Sequence, residues 1–162
     1  MQQGKKMALT HIERMKIRDA YRSWIIDLKP TAFVTLTTNT ACSCDHMRHL
    51  VKRFFFELDR HRLGNKLRKK TDERIDGHLF IEKPDRNTHV HGCVTVPLLE
   101  LSKLIEPSRN IWGGLCETGE VKIDVLSDLA ERAKYATKEQ AVLRDYKFDE
   151  QHILLREFFP QH

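Results

Sequence analysis

The spacing of apolar and polar positions divides the chain into segments with two different periods. From Thr10 to Leu28, Ile12, Met15, Ile17, Tyr21, Trp24, Ile25 and Leu28 recur at helical spacing among Arg, Lys and Asp. This predicts an amphipathic helix stopped near Pro30. Ala32 to Thr38, A-F-V-T-L-T-T, is β-branched and alternating, and reads as a strand. Asp45 is placed to cap a helix that buries Met47, Leu50, Val51, Phe54, Phe55 and Leu58. A hairpin follows: G-H-L-F-I-E from Gly77, the turn K-P-D-R-N-T, and H-V-H-G-C-V-T-V from His89 to Val96. Pro97 to Ile105 suits a short helix ended by Pro107, and W-G-G-L-C-E-T-G a loop. E-V-K-I-D-V-L from Glu120 alternates as a strand. Ser127 or Asp128 can cap a helix running through S-D-L-A-E-R-A-K-Y-A-T-K-E-Q-A-V-L. The tail I-L-L-R-E-F-F, Ile153 to Phe159, is expected to pack back on the body.

The central order strand, helix, strand, strand, helix, strand predicts an α+β fold. Its form would be a ferredoxin-like, RRM-like antiparallel sheet of four to five strands with helices mainly on one face. The other face would then be free to form a site. The 162 residues fit a single domain, 1–162.

Composition adjusts this picture only slightly. With 40% hydrophobic residues the chain can bury a core, and 28 Lys+Arg against 23 Asp+Glu tilt it toward anionic partners. No segment has the length of apolar sequence that spans a bilayer, and the N-terminal stretch lacks an apolar signal core, so a cytoplasmic protein without a membrane partner is expected. The four cysteines are expected to be reduced thiols. Seven Arg and Lys residues lie between Arg60 and Arg74, including Arg68, Lys69 and Lys70. They read either as a solvated loop or as a grip on nucleic-acid phosphates, which Arg86 in the hairpin turn could extend.

The chemistry centres on the hairpin. His89 and His91 are two apart on a strand, so both imidazoles project from one face. Alone they read as two surface histidines. Glu82 ends the preceding strand, and the turn brings it roughly opposite His89, so that one carboxylate and two imidazoles converge. Two nitrogens and one oxygen with positions left open suit Mg²⁺ or Mn²⁺ engaging a phosphate; the histidines alone would equally suit Zn²⁺. Downstream, Tyr135 has Lys138 three residues beyond it and Glu131 four before it on the same helix face. A phenol with a pKa near 10 needs a partner to act as a nucleophile, and a metal with Lys138 could supply one. Cys42, Cys44, His46 and His49 form a second potential zinc set, although a capped helix start explains that segment more simply.

F-V-T-L-T-T at Phe33 to Thr38, H-V-H at His89 to His91, and Y-A-T-K at Tyr135 to Lys138 resemble, in order and spacing, the three motifs of HUH endonucleases. The match is to the single-tyrosine rolling-circle replication initiator (Rep) type and covers Ala32 to about Gln140. The resemblance implies a nuclease domain that nicks single-stranded DNA, often at an origin hairpin, through a 5′-phosphotyrosine intermediate that frees a 3′ hydroxyl. It implies His89, His91 and Glu82 as metal ligands for Mg²⁺ or Mn²⁺, Tyr135 as the nucleophile and Lys138 as its partner. Thr35 and Thr37 would lie on the strand that meets DNA. Apart from the resemblance, Glu131 and Glu139 read either as solvated glutamates on a charged helix or as a base for water that resolves the adduct. No G-x-x-x-x-G-K-[ST] occurs in the chain, so a helicase domain is not expected and a host helicase and polymerase would act in trans.

Two other readings stay open. A small single-strand transposase or a mobilisation protein would use the same chemistry, the transposase with Glu139 as third ligand. An RRM-like module would bind nucleic acid without catalysis, but the strand positions that would stack bases carry Thr35, Thr37, His89 and His91.

Overall fold

The computed structural model describes residues 9–141 and 148–160. The first helix, α1 (His11–Asp27), starts at Thr10, whose hydroxyl accepts from the Glu13 amide while the Glu13 carboxylate accepts from the Thr10 amide. This reciprocal cap satisfies two of the donors that a helix start leaves open. Strand β1 (Ala32–Thr37) leads into α2 (Cys44–Leu63), which Ser43 caps by accepting from the His46 amide; Asp45 lies in the first turn instead of at the cap. Strands β2 (Asp76–Glu82) and β3 (His89–Thr95) form the expected hairpin. Helix α3 (Leu98–Leu115), strand β4 (Glu120–Val125), helix α4 (Leu129–Ala136) and the short strand β5 (His152–Leu154) follow.

All five strands pair antiparallel in the order β4-β1-β3-β2-β5. The first four, with α2 and α3 as crossovers, form two interleaved split βαβ units, the ferredoxin-like arrangement. The expected tail is thus a fifth strand on the edge of β2, followed by a turn that buries Leu155.

Alternation along the strands sorts side chains between two apolar layers. Val34, Leu36, Leu79, Ile81, Val90 and Val94 face the main core under α2 and α3, against Phe54, Leu58, Leu101 and Trp112. Phe33, Phe80 and Cys93 face the opposite way, under Tyr21 and Ile25 of α1 and Ala133 and Ala136 of α4. The long crossover helices share one face as expected, but the other face is not bare. There α1 and α4 cover the middle and leave the ends of the strands to form a site.

Three boundaries differ from those the sequence suggests. Pro107 does not end α3: Leu101, Leu104, Ser108 and Trp112 continue one buried stripe across it. Trp112 is fully buried and its indole N–H donates to the Thr37 carbonyl at 3.0 Å, which anchors the second half of the helix to β1. The basic stretch after Arg60 is also not wholly a loop, because α2 extends to Leu63. There Arg62 and Arg74 both pair with the buried Asp59. Finally, α4 ends at Ala136, so Lys138 and Glu139 lie on a 3₁₀ turn, Lys138–Ala141. The last two residues of the longer helix expected there, 142 and 143, fall outside the described residues.

Candidate metal centre

The site begins with the pairing of two short strands. In the β2–β3 register Glu82 stands opposite His89 and Phe80 opposite His91, while β1 sets Thr37 beside His89 and Thr35 beside His91. Partners directly opposite share a face, so Glu82, His89, His91, Thr35 and Thr37 all project toward the α1–α4 side. Close approach of the two strands depends on Gly92, where a Cβ would come within 2.0 Å of the His78 carbonyl oxygen.

The hairpin turn is fastened from below. Buried Thr88 accepts from the Cys42 amide at 2.8 Å, and the Thr38 amide donates to the Thr88 carbonyl at 3.0 Å. The turn therefore holds to the loop after β1, and Glu82 and His89 keep their register at its mouth. Lys83 enters the turn with φ of 51°, in the left-handed region.

Three ligand atoms converge. His89 Nε2 lies 2.9 Å from one Glu82 carboxylate oxygen, and His91 Nε2 lies 2.9 Å from the other. One atom from each of Glu82, His89 and His91 falls within 4.8 Å of the other two, and no other such group of three occurs among the described residues. Cys42, Cys44, His46 and His49 therefore do not assemble as a zinc set, and all four cysteines are unbridged.

The donor set fits a cation by three observations. His91 Nε2 and Glu82 Oε1, although close, are not aligned for a hydrogen bond, and both are buried without such a partner. Orphaned buried polar atoms are costly, and a metal would satisfy both. Two ligands held at about 2.1 Å by one ion stand roughly 3.0–3.4 Å apart, close to the separations seen. His89 Nδ1 lies 3.1 Å from the Asn87 carbonyl, which can accept from Nδ1–H and so leave Nε2 as the ligating nitrogen. The group could thus bind a metal ion.

Charge is concentrated here. Burial pushes the Glu82 carboxyl up, but the hydrogen bond with His89, the close approach of His91 and the nearby Lys138 ammonium outweigh it and hold Glu82 well below the usual carboxylate range. The hydrogen bond to Glu82 raises His89 against the opposing effect of burial. Lys138 Nζ is 3.4 Å from Glu82 and 4.1 Å from the centre of the Tyr135 ring. Burial lowers the Lys138 pKa, yet the Glu82 charge and hydrogen bonding to Tyr135 raise it overall. Glu139 sits near enough that burial and the Glu82 charge raise its pKa.

Tyr135 projects from α4 over this cluster. Its ring centre is 5.0 Å from that of His91 and 5.9 Å from that of Phe33, and the side chain remains exposed. The end of α4 is tied to α1: Arg22 Nε donates to the Thr137 hydroxyl at 3.0 Å, which donates to the Ala133 carbonyl at 2.8 Å.

The structure therefore brings together Glu82, His89, His91, Tyr135, Lys138 and Glu139, with Thr35 and Thr37 alongside. Glu131 stands apart in solvent, 3.9 Å from Lys134. Arg68, Lys69 and Lys70 precede β2 in the chain, which enters the sheet at Asp76, the end opposite Glu82, about 20 Å along the strand. Lys70 pairs with Glu73, and Arg86 is exposed in the hairpin turn beside Asp85. Sequence reasoning missed Lys122, which β4 presents opposite Thr35 on the site face, exposed and 3.1 Å from Asp124. It also missed Thr88, Arg22 and Thr137. For Lys122 the signal was the alternation of β4 itself; the other three depend on contacts distant in sequence.

Among the described residues, no helix is long and apolar enough to cross a membrane. No family model matches the chain, and neither curated proteins nor solved structures give a match.

Proposed function

We propose that the chain is a metal-dependent, site-specific single-stranded DNA endonuclease and strand transferase of the HUH type, which initiates rolling-circle replication of a plasmid or phage-like element. The observation that carries the reading is the meeting of Glu82, His89 and His91 beneath a tyrosine and a lysine from another element. Each of these groups is unremarkable alone. A carboxylate, two imidazoles, a phenol and an ammonium on one face make a site suited to a phosphodiester.

Glu82, His89 and His91 would hold Mg²⁺ or Mn²⁺, which when bound supplies charge neutralisation to the non-bridging phosphate oxygens. Lys138 lies beside Tyr135 and favours its phenolate. The Tyr135 oxygen forms a bond to phosphorus as the bond from phosphorus to the 3′ oxygen breaks. The phenol proton is lost to solvent and the leaving oxygen gains one, giving a 5′-phosphotyrosine and a 3′ hydroxyl. Because the bond is exchanged and not hydrolysed, the strand can be rejoined. Glu139, close to Lys138 and with a raised pKa, is better placed than Glu131 to handle a proton in the resolving step.

Participation of Glu82, and not Glu139, in the three-ligand group favours the replication initiator over the small transposase. The test is adduct formation on labelled single-stranded DNA with Mn²⁺. Wild type is expected to form a covalent protein–DNA species, Tyr135→Phe to bind without forming it, and His91→Ala to lose both the adduct and measurable Mn²⁺ binding by calorimetry. An adduct undiminished in Tyr135→Phe refutes the assignment of the nucleophile. A protein that binds DNA but never forms an adduct is the non-catalytic RRM-like module.

A further inference from the structure

A second site lies on the same face of the sheet, beyond α1. Trp24 and Tyr21 of α1, His78 of β2 and His152 of β5 wall a cleft of about 630 Å³. We propose that this cleft binds an unpaired nucleobase of the single-stranded DNA whose backbone enters the metal centre. The inference rests on the proposed function for the identity of the strand, and on the cleft's own chemistry for the base.

Three of the walls, Trp24, His78 and His152, are planar and nearly parallel, while Tyr21 meets Trp24 edge-on at 83°. The Trp24 and His78 rings are inclined by 26° and the His78 and His152 rings by 15°. Trp24 is 52% exposed, an unusual expense for an indole unless something covers it. Stacking on such surfaces is how unpaired bases are held.

The cleft is also wrong for a phosphate. Burial lowers the pKa of His78, and burial together with the nearby Arg48 charge lowers that of His152 to about 3. The two rings are therefore neutral and meet at 2.9 Å through Nδ1 and Nε2. Arg156, the cation at the rim, is committed to Asp76. Asp27 and Glu157 add exposed carboxylates, which repel phosphate and accept from the amino edge of a base such as cytosine N4.

Position links the two sites. In the strand register His152 stands beside Phe80, and Phe80 beside His91. His152 is thus two strands from His91, about 10 Å in the plane of the sheet, and His78 lies on the same strand as Glu82. One strand of DNA can reach both.

Trp112 is fully buried and Trp24 is exposed, so iodide quenching of fluorescence reports on Trp24. The measurement is made in EDTA on wild-type protein, with oligo-dC, oligo-dT, an abasic strand of equal length, and dCMP. Oligo-dC is expected to protect Trp24 from iodide, oligo-dT less, and the abasic strand not at all. Trp24→Leu is expected to weaken oligo-dC binding by about tenfold. Protection by the abasic strand equal to that by oligo-dC, no protection by any strand, or undiminished oligo-dC binding in Trp24→Leu would each overturn the proposal. Protection by dCMP equal to that by oligo-dC would make the cleft a free-nucleotide site and overturn its assignment to a strand. Because protection is read in EDTA and adduct formation separately with Mn²⁺, protection in EDTA with no adduct in Mn²⁺ refutes the nuclease reading alone, and an adduct in Mn²⁺ without protection in EDTA refutes the base site alone.

Discussion

At the scale of single residues, the most informative histidines titrate in opposite directions. His89 gains a carboxylate partner and its pKa rises, whereas His152 is half-buried among rings and its pKa falls from 6.5 to about 3. For His152 the unfolded chain binds the proton more readily throughout the interval between those two values. Stability must therefore decline as pH drops from about 6.5 toward 3. His152→Phe, which keeps a ring against Tyr21 and Phe80, is expected to flatten that part of the curve of melting temperature against pH. An unchanged acid limb would show that the imidazole is not the group responsible. His89 and His91 were legible from their spacing because alternation on a strand guarantees a shared face. The contact of Lys138 with Glu82 was not, since it depends on α4 ending at Ala136 and on the turn that follows.

Among elements, α4 is short, eight residues, and carries the proposed nucleophile in its last turn. A helix of that length is marginal alone and relies on what it packs against. Ala133 and Ala136 bury its inner face, and the bond from Arg22 to Thr137 fixes its end to α1. Removing that bond with Arg22→Ala is expected to cost about 1 kcal/mol of stability. Adduct formation should slow by more than tenfold while Mn²⁺ affinity stays within error, because the ligands belong to a different element. A variant that loses metal affinity in proportion would instead indicate general damage. Alternation identified β1 and β4, and two apolar runs flanking the turn residues K-P-D-R-N-T identified β2 and β3. Sequence pattern stopped α3 too early at Pro107, because the local cost of proline was outweighed by the buried stripe through Trp112, a tertiary contact invisible in a window of sequence. The fifth strand, His152–Leu154, was too short to show a period and was legible only as an apolar tail.

For the whole molecule, excess basic charge is a poor guide to where DNA would lie. In the densest basic stretch Arg62 and Arg74 neutralise Asp59, Lys70 pairs with Glu73, and Arg68 and Lys69 remain exposed beyond the far end of β2. The double substitution Arg68→Gln and Lys69→Gln is therefore expected to lower the salt dependence of DNA binding by a slope of about two. The adduct rate at saturating DNA should not change, as salt titration and single-turnover assays would establish; a slower rate would bring these side chains close to the chemistry. The metal ligands have the opposite distribution, because Glu82, His89 and His91 belong to one hairpin within ten residues of sequence. Hairpins of this kind form in about 1–10 μs, whereas the pairing of β1 with β4 must close a far longer loop. All three donors can thus be assembled while most of the sheet is still unmade, and an ion would meet them as a participant in folding, not as a late addition to a finished protein.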